Sequence, residues 1–160
     1  MSNKPKVLYG QHYKIGKNGR KELKPNIAYI APNGYKYQTD SKGRIVKVEG
    51  ELKNKTAPRN SYDQRVAGRE DRQKGDDGGH LIASIFDGSG DLDNLVAMRA
   101  NLNRGDWKTM ENIWKRSLDK GQKVEVEIKP NYSGNSQRPV SFDVRYKIGK
   151  GKWEEENFKN

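Results

Sequence analysis

The chain has 160 residues, the span of one domain, with 32 Lys+Arg against 21 Asp+Glu and a formal net charge of +11. No run of eighteen apolar residues exists, so no transmembrane helix is expected, and the opening Met1-Ser2-Asn3-Lys4-Pro5-Lys6 lacks the apolar stretch of a secretory signal peptide. With no cysteine, a disulfide framework, a thiolate zinc site and a cysteine nucleophile are excluded.

The charge is uneven. Residues 1–60 carry 14 Lys+Arg and 4 Asp+Glu, a net of +10, whereas residues 61–160 carry 18 and 17, a net of +1. Such asymmetry points to a polyanionic partner: nucleic acid, an anionic membrane or an acidic protein. Residues 1–26 are Lys-rich and read as a linker or N-terminal extension, with at most one short strand near Val7–Gln11, and the domain proper is expected over 27–160. Ile27–Ile30 reads as a strand stopped by Pro32-Asn33-Gly34. Tyr35–Gln38 and Arg44–Val48 alternate around a Thr39–Gly43 turn, the pattern of a β-hairpin. Residues 54–79 are polar and glycine-rich, a loop with one short helix.

Leu81–Phe86 is an apolar strand candidate, Asp87–Asp91 a tight acidic loop, and Asn94–Met98 a short extended piece. A helix is expected from near Asn101 to Lys120, because Trp107, Met110, Trp114 and Leu118 fall at helical spacing and Gly121 follows as a stop. Val124, Val126 and Ile128 alternate, as do Val140, Phe142, Val144, Tyr146 and Ile148, so residues 131–138 join a second hairpin. The fold class is α+β, with antiparallel β-hairpins on either side of one principal helix.

Chemistry is sparse. His12, among lysines, reads as a surface or half-buried strand residue. His80 follows Asp76-Asp77-Gly78-Gly79 and precedes an apolar run, a context in which glycines let the backbone approach a ligand and a neighbouring Asp can fix the imidazole tautomer. On one continuous helix Asn103, Trp107 and Glu111 form an i, i+4, i+8 ladder. An amide oxygen and a carboxylate are hard donors that suit Mg²⁺. The acidic run from Asp87 is no EF-hand, because Leu92 and Met98 stand where Gly and Glu are required.

Taken together, Asp77-Gly78-Gly79-His80 resembles the Asp-Arg-Gly-His motif of the DNA/RNA non-specific endonucleases, whose site is of the ββα-metal kind. Asn94 followed by Leu102-Asn103-Arg104-Gly105-Asp106-Trp107 and Glu111 is similar to that family's second signature. Gly78 departs from the pattern, which leaves the motif Arg to be replaced by Arg65, Arg69 or Arg72. A narrower resemblance, over roughly residues 27–159, is to the C-terminal nuclease domains of LXG-type polymorphic toxins exported by type VII secretion systems. The resemblance implies a ββα-metal nuclease core in which His80 is the general base, Asn103 ligates Mg²⁺ (or Mn²⁺) directly and Glu111 acts through water. Asn94 and Asp77 support the catalytic constellation, and Arg65, Arg69, Arg72 and Arg104 meet phosphates. It further implies DNA, and RNA, as substrate, a cognate acidic immunity protein as partner, no membrane contact by this domain, and export as part of a larger protein that acts in the target-cell cytoplasm. The alternative on the same fold is a non-catalytic nucleic-acid-binding module, which needs none of His80, Asn103 and Glu111.

Overall fold

The computed structural model describes residues 4–160. In chain order the strands and helices are β1 (Tyr13–Ile15), β2 (Lys21–Leu23), β3 (Ala28–Ile30), β4 (Lys36–Thr39), β5 (Ile45–Glu51), α1 (Ser61–Val66), β6 (Asp76–His80), β7 (Leu95–Arg99), α2 (Ala100–Arg104), α3 (Asp106–Asp119), β8 (Val124–Asn131), β9 (Ser141–Ile148) and β10 (Trp153–Lys159). Six strands form one antiparallel sheet in the order β10-β9-β8-β5-β4-β3, and β1–β2 and β6–β7 form two smaller antiparallel pairs. The α+β reading and both hairpins hold. In β8 the residues Val124, Val126, Ile128 and Pro130 are buried, and in β9 Phe142, Val144 and Tyr146, so the period of two seats one face of the sheet on the core.

Helix α3 lies against that face. Its Trp107 packs edge-on to Phe142 and Phe158 (5.1 and 5.5 Å between ring centroids), and Trp114 packs edge-on to Tyr146 (5.6 Å). Burying two indoles at this spacing fixes the helix on the sheet, and aromatic pairs of this kind add about 0.5–1.5 kcal/mol each beyond area burial.

Three expectations change. Leu81–Phe86 is not a strand; it is a buried turn closed by bonds from Phe86 N–H and Gly88 N–H to Ala83 O (3.0 and 3.1 Å). The paired strand is the preceding Asp76–His80, whose weak β-propensity is overridden by its ladder with buried β7. The helix expected over 101–120 is broken: Gly105, at φ −109° and ψ −108°, separates α2 from α3. Residues 4–26, the described part of the segment expected as a linker or N-terminal extension, pack against the rest of the chain. Val7 N–H donates to Ala28 O and Ala28 N–H to Pro5 O, both at 2.9 Å, and β1 and β2 form their own ladder. The physical reason is His12. It is wholly buried rather than superficial, with Tyr9, Tyr13 and Tyr29 around its ring at 4.6, 4.0 and 4.4 Å.

Candidate active site

Strand β6 pairs with β7, and β7 runs straight into α2 and then α3, so the two strands and the helices bring the expected site residues into one region. His80 ends β6 opposite Leu95 and is 8% exposed. Burial, with the charge of Arg59 adding to it, lowers its pKa to about 4, so the ring is unprotonated at neutral pH. Nε2 is buried, and neither ring nitrogen makes a hydrogen bond among the described residues. An imidazole without a partner keeps its lone pair for a ligand or a proton.

Asn103 sits on α2. Its amide donates to Asp77 Oδ2 (2.9 Å), which leaves Oδ1 as the free acceptor. A Cβ on Gly79 would lie 3.2 Å from that Oδ1 and 2.9 Å from Met98 Cβ, so glycine keeps the space before Asn103 open. Asp77 faces Asn103 and Arg104, not His80. Arg104 grips it with Nε and Nη2 at 2.9 and 2.7 Å. Burial would raise the Asp77 pKa, but the bonds from Arg104 and Asn103 hold it below the usual carboxylate range. Asp77 is therefore a positioning residue for Asn103.

Glu111 lies on α3, buried, and burial pushes its pKa up to about 7 against the pull of Lys108, Trp107 and Arg59. Asn103 and Glu111 belong to different helices, so the single ladder expected for them is replaced by a corner at Gly105. Among the described residues no group of three His, Cys, Asp or Glu side chains could hold a metal. The free Asn103 oxygen and the opening kept by Gly79 nevertheless fit a hard divalent cation that retains most of its waters. The acidic run 87–93 holds none of this chemistry: Asp93 is buried against the Tyr29 hydroxyl (2.6 Å).

Asn94, expected in the catalytic set, is wholly buried and cannot touch substrate. Its amide donates to Ile82 O (2.7 Å) and Ser89 O (2.8 Å), and its Oδ1 accepts from Ile82 N–H (3.0 Å). One side chain thus satisfies the backbone of a buried loop that has no strand partner, and so holds the segment following His80.

The expected phosphate-binding arginines divide. Arg72 is committed to the carbonyls of Gln64, Arg65 and Asp76 at 2.7, 2.8 and 3.0 Å, so it clamps α1 to β6 and is not free for phosphate. Arg69 leans on Lys21 O, exposed Arg65 stacks over Tyr62 (5.8 Å), and Arg104 is spent on Asp77. Gly78 could not carry the motif arginine here, because a Cβ would lie 2.0 Å from Gln64 O.

Arg59 stands near enough for its charge to act on both His80 and Glu111, as Lys108 does on Glu111. Its segment is pinned by Ala57 N–H donating to Ser84 O (2.8 Å) and by Gly90, where a Cβ would meet Pro58 O at 2.9 Å. Asn60 then caps α1 by accepting from Asp63 N–H (3.0 Å). Arg59 is exposed and makes no hydrogen bond or ion pair among the described residues. Sequence reasoning missed it. Only the Asn60 cap signature nearby is visible in the sequence, and that announces a helix start rather than a site.

A strand pair followed by a helix, with a buried neutral histidine ending the first strand and an asparagine on the helix after the second, has the layout of a ββα-metal nuclease. Residues 25–150 match the family model described as DNA/RNA non-specific endonuclease, and the chain belongs to that family. It is 46% identical over 153 residues to the type VII secretion system protein EssD of Staphylococcus aureus strain USA300, covering 91% of this chain and 25% of that protein. The counterpart from strain Newman is likewise 46% identical, with 24% of its length covered. The chain therefore spans about a quarter of the length of the curated relatives it matches. Among solved structures, NucA from Streptococcus agalactiae with magnesium ion bound aligns with a TM-score of 0.58 at 18% identity, over 93% of this chain and 81% of that one. An extracellular nuclease aligns at 0.50 and 17% identity, over 81% and 86%. These two likenesses carry the fold.

Proposed function

We propose that this chain is the nuclease domain of a larger effector exported by a type VII secretion system, and that it hydrolyses phosphodiester bonds of DNA, and of RNA, with the help of Mg²⁺ or Mn²⁺. The observation that carries the reading is a buried, unprotonated His80 without a hydrogen-bond partner, next in sequence to the glycine that keeps the Asn103 oxygen open. Family membership supports nucleic acid as substrate. The type VII secretion relatives, matched over a quarter of their length, support export as part of a longer chain, which in this reading acts in a target-cell cytoplasm.

In this reading Asn103 Oδ1 would hold the cation directly, and Glu111 would act on it through water. The bound cation supplies positive charge to the phosphate and the leaving oxygen. His80 takes a proton from the water that attacks phosphorus, a role open to a ring that is neutral at physiological pH. Arg59 faces the same space and offers its guanidinium to the scissile phosphate, taking the part of the arginine that Gly78 excludes. Lys and Arg contacts to phosphate carry no base information, so cleavage is sequence-tolerant. An enzyme of this kind endangers the cell that makes it, and a net charge of +11 favours an acidic immunity protein as its inhibitor there.

The test is metal binding and cleavage together. Calorimetric titration with Mg²⁺ should give a site in the wild type that Asn103→Ala loses and Glu111→Gln weakens less. EDTA should abolish plasmid cleavage. Cleavage that proceeds unchanged in EDTA would remove the metal from the account.

A further inference from the structure

A second basic cavity of about 540 Å³ lies outside the catalytic site. The N-terminal segment contributes Lys14, Lys17, Arg20 and Lys21, the β4–β5 turn contributes Lys42 and Arg44, and the stretch after α1 contributes Arg69. Glu22, Glu70 and Asp71 in the lining and Asp40 bonded to Arg44 oppose these seven cations, an excess of three positive charges. Most of the cations are fixed. Arg44 is tied to Asp40 Oδ2 (2.8 Å) and lies over the Tyr132 ring, Arg20 pairs with Glu70, Lys42 reaches Asn135, and Lys21 sits 3.8 Å above the Tyr13 ring. Lys14 and Lys17 are exposed, and their side chains make no hydrogen bond or ion pair among the described residues.

Two further features bear on its use. Leu95 and Val96 form part of the wall, and Leu95 is the ladder partner of His80, so the cavity adjoins the strand paired with the catalytic one. Ladder partners lie roughly 5 Å apart at Cα. Lys14, Lys17, Arg20 and Lys21 precede residue 25, where the family match begins, so four of the seven cations come from outside the span of that match.

We infer that this cavity is an accessory polyanion site that holds backbone phosphates of the same nucleic acid several nucleotides from the scissile bond. The inference rests on the nuclease reading above and extends it. Duplex DNA carries one charge per ~1.7 Å of axis, so a strand seated at His80 has phosphates to offer a site one or two strands away. Prearranged Arg44 and Lys42 shape the cavity, while Lys14 and Lys17 supply the charge that releases counterions on binding. Such contacts raise the affinity for long substrates and leave the chemical step alone.

The experiment compares Lys14→Gln/Lys17→Gln with the wild type. Binding of a 30-base-pair duplex is measured in EDTA across a salt series, and Mg²⁺-supported cleavage is measured on plasmid and on a tetranucleotide, which offers few phosphates beyond the scissile one. Losing two phosphate contacts should reduce the slope of log K against log salt by about two. It should raise KM for plasmid with kcat unchanged, and leave tetranucleotide turnover as in the wild type. Equal salt slopes and equal plasmid KM would overturn the accessory site while leaving the nuclease reading intact. A loss on the tetranucleotide equal to that on plasmid would also overturn it, since the lysines would then act on the catalytic unit. A wild type that cleaves neither substrate would sink the nuclease reading, and the accessory site with it.

Discussion

Restoring the family's arginine at position 78 should damage this protein rather than improve it. Gly78 is not among the residues at positive φ, so the objection is contact and not backbone conformation. A Cβ there would lie 2.0 Å from Gln64 O and 2.6 Å from Gln64 Cα, where ordinary contact begins at 3.4 Å, so α1 would have to withdraw by about 1.4 Å. It is not free to do so. Asn60 caps its start, and Arg72 bonds the same Gln64 oxygen at 2.7 Å. Overpacking costs roughly 1–3 kcal/mol, and loss of a hydrogen bond from a charged donor adds about 1.5–3 kcal/mol. A total of about 2.5–6 kcal/mol lowers the melting temperature of a 160-residue domain by roughly 5–24 °C. Thermal melts of Gly78→Ala and Gly78→Arg, followed by circular dichroism, measure this directly. If both variants melt within about 2 °C of the wild type, the reasoning about α1 is wrong.

Three other outcomes follow from the same geometry. Asp77→Ala removes the acceptor that turns Asn103, so Mg²⁺ affinity should fall by about 10–100-fold, as for other residues that orient a ligand, with little change in melting; calorimetry and a melt on one sample separate the two. Asn94→Ala strips partners from Ile82 N–H, Ile82 O and Ser89 O, and at about 1–3 kcal/mol per unpaired group the loss should exceed ~3 kcal/mol in denaturant unfolding. His12 accepts from Gly10 N–H at Nδ1 (3.0 Å), and burial, then Lys21 and Lys24, lower its pKa to about 4 although Asp91 pulls upward. The folded state therefore binds this proton later than the unfolded one. The stability due to His12 is complete above pH ~6.5 and is lost as the pH falls toward ~4. Buried Asp93, raised by burial to about 6, works in the opposite sense from the ordinary carboxylate range up to about pH 6, which is most of that window. The His12 ring resonance should stay flat from pH 8 to pH 5 by nuclear magnetic resonance, and a midpoint near 6.5 would contradict its burial.

What the sequence disclosed depended on the range of the forces involved. Alternation in β8 and β9 and the spacing of Trp107, Met110 and Trp114 report burial of one face, which is a local pattern, and those elements appeared where expected. The Leu81–Phe86 run is also apolar, but its backbone is satisfied by the Asn94 side chain twelve residues on, and no local period carries that information. His80, Asn103 and Glu111 stood out as residue types at a spacing. Their arrangement turned on Gly105 and Asp77, one a break that propensity alone treats as a mild penalty, the other a carboxylate that points away from the histidine it nearly adjoins. Arginines are many in this chain, and which one is free is decided by carbonyls and carboxylates distant in sequence. Arg72 looked available and is bound, whereas Arg59 looked unremarkable and is free.

The central claim is that His80 is the base of a metal-dependent phosphodiester hydrolysis. The most direct measurement is single-turnover cleavage of supercoiled plasmid in Mg²⁺ by the wild type and by His80→Ala, with both proteins shown to melt cooperatively. The account predicts a loss of at least ~10²-fold in the rate constant for His80→Ala, the lower end of general-base contributions, with metal binding retained. Equal rate constants for the two proteins would contradict it.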